Sequence, residues 1–156
     1  MEKIRIQNKD AVVIEVNDKG ETIQFDFNDT SLPIRVMKML ADIEEQEKNF
    51  NAKLEELAKE KDSEEEIEYY GIKVTNGFIK YTELCNDFCN VCRGYIDELF
   101  GENASQKIFG KTNRPDMFTE FFLQVEPYLK KAGANMIKSK KELADKYRKD
   151  DNKGVM

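Results

Sequence analysis

Two apolar seams of the same pitch constrain this chain more than any other feature. Val36, Leu40, Ile43, Phe50, Leu54 and Leu57 follow one another at alternating steps of three and four, with Glu47 interrupting the series. Phe78, Tyr81, Cys85, Phe88, Cys92, Tyr95 and Leu99 step in the same way. On a 3.6-residue helix such positions share one face, so each seam asks for a partner of equal length. Two seamed helices joined by a short connection predict an αα-hairpin. The cap-forming run Asn28-Asp29-Thr30-Ser31 and Pro33 set the start of the first helix, predicted over 31–62. The second is predicted over 76–100. Toward Asp62-Ser63 the apolar signal fades, and Ser63 to Glu66 reads as an exposed hinge or a frayed continuation of the helix. Tyr69-Tyr70-Gly71 and Thr75-Asn76-Gly77 then bound a short linker.

The flanks of this pair are also patterned. Val12, Ile14 and Val16 alternate with Val13 and Glu15, and Ile23, Phe25 and Phe27 alternate with Gln24 and Asp26. Asn17-Asp18-Lys19-Gly20 is a turn signal between them. The spacing predicts a β-hairpin within residues 1–28, with Ile4 and Ile6 available for a third strand. A two-stranded hairpin is marginal alone, so it must lie on the helices or pair with another copy. Past Phe100-Gly101, Asn103 and Gln106 have capping-box spacing, and Gly110 supplies a left-handed exit after Phe109. A short helix over 103–109 follows. Thr112 and Asn113 are candidate caps, and Pro115 a first-turn residue, for a last helix over 113–147 that Pro127 kinks and Gly133 weakens. The expected fold is mainly α: an antiparallel helical bundle of three long helices and one short, with a small N-terminal β-hairpin. It forms one domain over 1–149, and residues 150–156 are a loose tail.

The corner Leu99-Phe100-Gly101, with Lys107-Ile108-Phe109-Gly110 and the Phe-rich run from Phe118 to Tyr128, resembles the C-terminal half of tail assembly chaperones of long-tailed phages and prophages of Gram-positive bacteria. A fainter likeness covers the hairpin and the acidic helix after it. The resemblance implies a non-enzymatic protein that self-associates. It would bind the tape-measure protein and the major tail (tube) protein, in the host cytoplasm. A longer product made by ribosomal frameshifting is also common in that family. No catalytic residue is implied. The alternatives are a prophage-encoded adaptor with another partner and, less favoured, an iron–sulfur protein using Cys85, Cys89 and Cys92.

Charge is unevenly distributed within a net −6. Residues 41–68 hold twelve acidic residues against four Lys, and residues 129–156 hold nine basic against four acidic. Opposite-signed ends favour head-to-tail association or docking on a charged partner, and solvated helix faces are the plainer reading. The basic end lacks interleaved aromatics apart from Tyr147, so nucleic acid is not an expected partner. No apolar run approaches the ~20 residues of a membrane helix, and the N-terminus lacks the apolar core of a signal peptide. Three cysteines, an odd number, point to a reducing compartment rather than a disulfide framework.

Chemistry is sparsely supported. The chain has no His, which removes His-based zinc sites, Ser-His-Asp triads and Cys-His nucleophiles. No Walker-type or Gly-x-Gly-x-x-Gly loop is present. Cys85, Cys89 and Cys92 have the C-x3-C-x2-C spacing that resembles the iron–sulfur motif of radical SAM enzymes. That motif belongs on a loop, whereas here the spacing sets all three sulfurs on one helix face among Phe88, Ile96 and Leu99, where Cys acts as a small hydrophobe. Carboxylate pairs such as Glu44 with Glu47 and Asp97 with Glu98 fall on exposed faces, where nothing raises a pKa. No catalytic, cofactor-binding or metal-binding residue is expected. The candidate partner surface is the edge of the last helix: Phe118, Phe121, Phe122, Val125 and Tyr128.

Overall fold

Pleated alternation at the N-terminus gives two strands, β1 (Ala11–Glu15) and β2 (Thr22–Asp26), paired antiparallel with Ile14 opposite Ile23 and Val12 opposite Phe25. In this computed structural model the described residues are 1–6, 11–26 and 28–131. Ile23 and Phe25 are buried, Val12 and Ile14 half-buried, and Val13 points to solvent, as the period of two requires. The turn is organised by Asn17. Its Oδ1 accepts from the Lys19 and Glu21 amides, and Gly20 takes the positive φ of +80°. The Asn17 amide also donates to the Lys107 carbonyl at 2.9 Å, which ties the hairpin to the far end of the chain. The expected third strand at 1–6 is not formed: those residues carry no strand, and Ile4 and Ile6 lie open to solvent.

Helix α1 covers Leu32–Lys59, with Pro33 in its first turn. Asp29 fixes the approach: its carboxylate accepts from the Ser31 amide and hydroxyl and from Arg35 at 2.8 Å, and these bonds hold its pKa down. Ser31 makes no side-chain cap of its own. The helix ends three residues before the expected 62, and the hinge and linker expected after it are a second hairpin. Strand β3 (Glu66–Tyr69) pairs antiparallel with β4 (Ile72–Thr75). Tyr70 at φ 51° and Gly71 at φ 79° make the two-residue left-handed turn that matches strand twist. Ile67, Tyr69, Ile72 and Val74 share its apolar face.

Helix α2 covers Asn76–Phe100, where the seam placed it. The Thr75 hydroxyl accepts from the Phe78 amide at 3.1 Å, satisfying a donor of the first turn. Glu60 near the end of α1 meets Lys80 near the start of α2, so the two helices run antiparallel. Helix α3 (Ala104–Phe109) sits in the corner, but its opening is not a capping box. Asn103 itself is left-handed at φ 66° and makes no cap, and Asp97 Oδ1 accepts from the Ser105 amide at 2.7 Å instead. Helix α4 begins at Pro115 and is helical over 115–131, through Pro127 to the limit of the described residues. Asn113 does not cap it. Its side chain accepts from Arg93 at 2.7 Å and donates to Asn86 and Asn90, binding α4's approach to α2. The rest of the helix expected to 147, and the tail 150–156, lie outside the described residues.

Among the described residues the molecule is thus mostly helical, four helices with a small N-terminal antiparallel hairpin. One core joins the hairpin (Ile23, Phe25), α1 (Leu32, Val36, Met39, Ile43), α2 (Cys89, Cys92, Ile96, Leu99), α3 (Ala104) and α4 (Met117, Phe118, Phe121, Val125). The seams are shifted from their expected lines. Met39 is buried while Leu40 faces outward, and Phe78 and Tyr81 at the start of α2 stand in solvent.

Candidate protein-interaction groove

The three thiols do not present a ligand set. Cys89 and Cys92 are wholly enclosed and Cys85 half-buried, all three free. Burial, with the neighbouring Cys85 thiol adding to it, pushes Cys89 up to about 11. Burial pushes Cys92 up to about 12, with Cys89 and Glu47 adding to it. A thiol held protonated is a poor nucleophile and a poor metal ligand. Among the described residues no group of three or more His, Cys, Asp or Glu side chains is placed to hold a metal ion. Cys89 and Cys92 pack as core.

The concave feature lies where α4 leaves α1 over the α2 seam. Ile43, Phe88 and Phe118 form its floor, with Phe50 stacked on Phe88 at 4.9 Å and Phe118 meeting Phe88 edge-on at 6.4 Å. The walls are the outer flanks of α1 (Leu40, Glu47, Asn51) and α4 (Pro115, Asp116, Thr119, Phe122, Leu123, Glu126, Leu129), enclosing about 480 Å³. Leu123 is 65 % exposed and Leu40 44 %. Among the described residues the charged ones in the lining are Glu47, Asp116 and Glu126, all carboxylates. Pockets of this size with an apolar floor and a few polar groups at the rim are where ligands and partner side chains seat. A second hollow, of about 600 Å³ between α3 and α4, has a lining of mixed charge that includes Arg114 and Glu120.

The five residues expected to carry a partner surface divide. Phe118, Phe121 and Val125 are buried in the core, where Phe118 and Phe121 meet the rings of Phe88, Phe100 and Phe109. Phe122 is half-buried in the groove wall. Tyr128 is exposed but does not line it. What the sequence reading missed are Leu40 and Leu123. A signal existed: Pro115, Thr119, Phe122, Glu126 and Leu129 step by four and three beside the core line, but two polar members hide the stripe.

Over residues 19–154 the chain matches DUF6673, a family of unknown function, and it belongs to that family. No curated protein and no solved structure matches it.

Proposed function

We propose that this member of the DUF6673 family is a non-enzymatic binding protein, a tail assembly chaperone of the kind its corner resembles, built as an antiparallel bundle of three long helices and one short. The observation that carries the reading is the groove between α1 and α4: an open hollow over the apolar floor of Ile43, Phe88 and Phe118, beside an exposed Leu123. Amphipathic helices bind by laying one apolar face into such a groove. The tape-measure protein, a long helical protein whose apolar stripes need shielding until the tail tube polymerises round it, is the partner this surface suits. The major tail protein is the second. Self-association has a separate surface at the far tip, where Tyr70, Ile72, Phe78 and Tyr81 are exposed beside a two-stranded sheet with free edges. The complex forms in the host cytoplasm, before assembly.

The test is co-expression with a tape-measure protein from the same tail gene module, followed by light scattering behind a sizing column. The expected result is a mixed complex that keeps the tape-measure protein in solution, and that Leu123→Glu abolishes without loss of helicity. A tape-measure protein that precipitates alike with and without this chain overturns the proposal.

A further inference from the structure

We infer that the groove selects a cationic partner: an amphipathic helix of about three turns whose apolar face is flanked by Lys or Arg. The inference rests on the groove being a helix-binding site, and adds the chemistry of its ligand. Glu47 stands on the α1 wall and Asp116 and Glu126 on the α4 wall, each side chain exposed at the rim, and among the described residues no cationic side chain lines the site. Lys130 pairs with Glu126 at 2.9 Å and Arg114 approaches Asp116 at 3.9 Å, both from outside the lining, and among the described residues Glu47 has no ion pair. Carboxylates facing each other across an apolar floor repel one another, and a cationic flank on each side of a bound helix relieves that repulsion. The α1 wall runs from Leu40 to Asn51, which at a rise of ~1.5 Å per residue is about 16 Å, or three turns. That length seats apolar anchors at i, i+3 or i+4, and i+7. A second copy of this chain is disfavoured as occupant, because it brings a net charge of −6 to an acidic rim.

Two fluorescein-labelled 14-residue peptides test this on the full-length protein by anisotropy. Both carry Leu anchors on one helical face, one with Lys flanks and the other with Glu flanks. The expected result is at least tenfold tighter binding of the Lys-flanked peptide at low salt, a preference that narrows as salt screens the rim. Leu123→Glu should abolish that binding although it adds negative charge, which separates groove binding from general attraction. A Glu47→Gln, Asp116→Asn, Glu126→Gln variant should lose most of the preference. Equal binding of both peptides, still abolished by Leu123→Glu, overturns the cationic partner and leaves the groove reading standing. Binding of neither peptide overturns the inference, and a dimer that Leu123→Glu dissociates then names a second copy as the occupant.

Discussion

The corner and the far tip of this molecule are held by different forces. At the corner, Phe25 meets Phe100 at 4.8 Å, Phe100 meets Phe121 at 5.8 Å, and Phe109 meets Phe118 at 4.9 Å. Arg93 closes the cluster: its guanidinium lies 5.6 Å over Phe109, donating to Asn113 Oδ1 and the Thr112 carbonyl. At the tip, Leu57 is the one buried side chain in residues 44–88. Polar ties take over there: the Asn76 amide to Glu65 at 2.8 Å, the Gly77 amide to Ser63 at 2.9 Å, and Lys80 to Glu60 at 2.7 Å. Apolar burial scales with area and resists opening, whereas exposed hydrogen bonds exchange readily with water. The corner therefore sets global stability, and the tip opens locally at a lower free energy.

The sharpest way to break this comparison is to cut one apolar side chain at each end. Ile96 is fully buried, and Ile96→Ala should lower the unfolding free energy by about 4 kcal/mol, from lost transfer energy plus the cavity. Leu57→Ala, under a thinner cover, should cost about 2 kcal/mol, at the low end for such changes. Urea midpoints measure both, and equal losses would mean that the two ends share one core.

Alkaline pH attacks the corner side through its thiols. Below pH 9.0, the ordinary cysteine value, both states keep these protons; above it the unfolded chain releases them while folded Cys89 and Cys92 hold theirs to about 11 and about 12. The unfolded state then binds fewer protons, so stability falls as pH rises, by at most ~1.4 kcal/mol per pH unit for each thiol. By pH 10 the pair should have lost about 3 kcal/mol relative to pH 8. Removing one thiol with Cys92→Ala should flatten the profile accordingly. An unchanged slope would show that the sulfurs reach solvent.

Gly77→Ala probes the tip at smaller amplitude. A Cβ there would stand 2.8 Å from the Ser63 carbonyl oxygen, which belongs to backbone and cannot swing away. The chain before β3 must shift, at a cost of about 1–2 kcal/mol, in the range of modest overpacking. Hydrogen exchange should quicken in β3 and β4 while the amides of α2 near Ile96 keep their protection. Uniform quickening would contradict a locally opening tip.

How much of this was legible in the sequence follows the same division. The α2 seam located Asn76–Phe100 because its apolar side chains recur at helical steps over the whole length. The hairpin β3–β4 escaped because its strands have four residues each. The acidic run Glu64-Glu65-Glu66 masked the alternation of Ile67 with Tyr69 and Ile72 with Val74. At α3 the spacing of Asn103 and Gln106 was sound, but Asp97 from the preceding helix reaches the Ser105 amide first, a tertiary contact that no local pattern encodes. The groove was hidden for a related reason. Leu40 belonged to a seam assumed to be buried and Leu123 to no stripe at all, and their joint exposure arises only from how α4 leaves α1. Function has the least support from local pattern, since an interaction surface needs shape and charge but no fixed spacing of reactive groups.

The smallest expected effect is also the one that best isolates the polar half. Lys80 bridges Glu60 at 2.7 Å and approaches Asp62 at 4.0 Å, with about 40 % of the Lys80 and Glu60 side chains and 51 % of the Asp62 side chain in water. The Glu60 hydrogen bond, followed by the Asp62 charge, raises the Lys80 pKa although partial burial opposes it. Such a raised group stabilises fully below its ordinary value of 10.5 and loses that contribution only as pH climbs through the folded value, so at pH 7 the bridge is intact. Intact does not mean strong: in water the Coulomb gain of an exposed pair is largely cancelled by screening and by the entropy of fixing two long side chains. Lys80→Ala should therefore leave the melting temperature unchanged within error at 0.15 M salt, even though it removes the shortest ion pair at the tip. Should it instead melt the β3–β4 hairpin cooperatively, the polar ties would be stronger than their exposure allows, and the contrast between the two ends would fail.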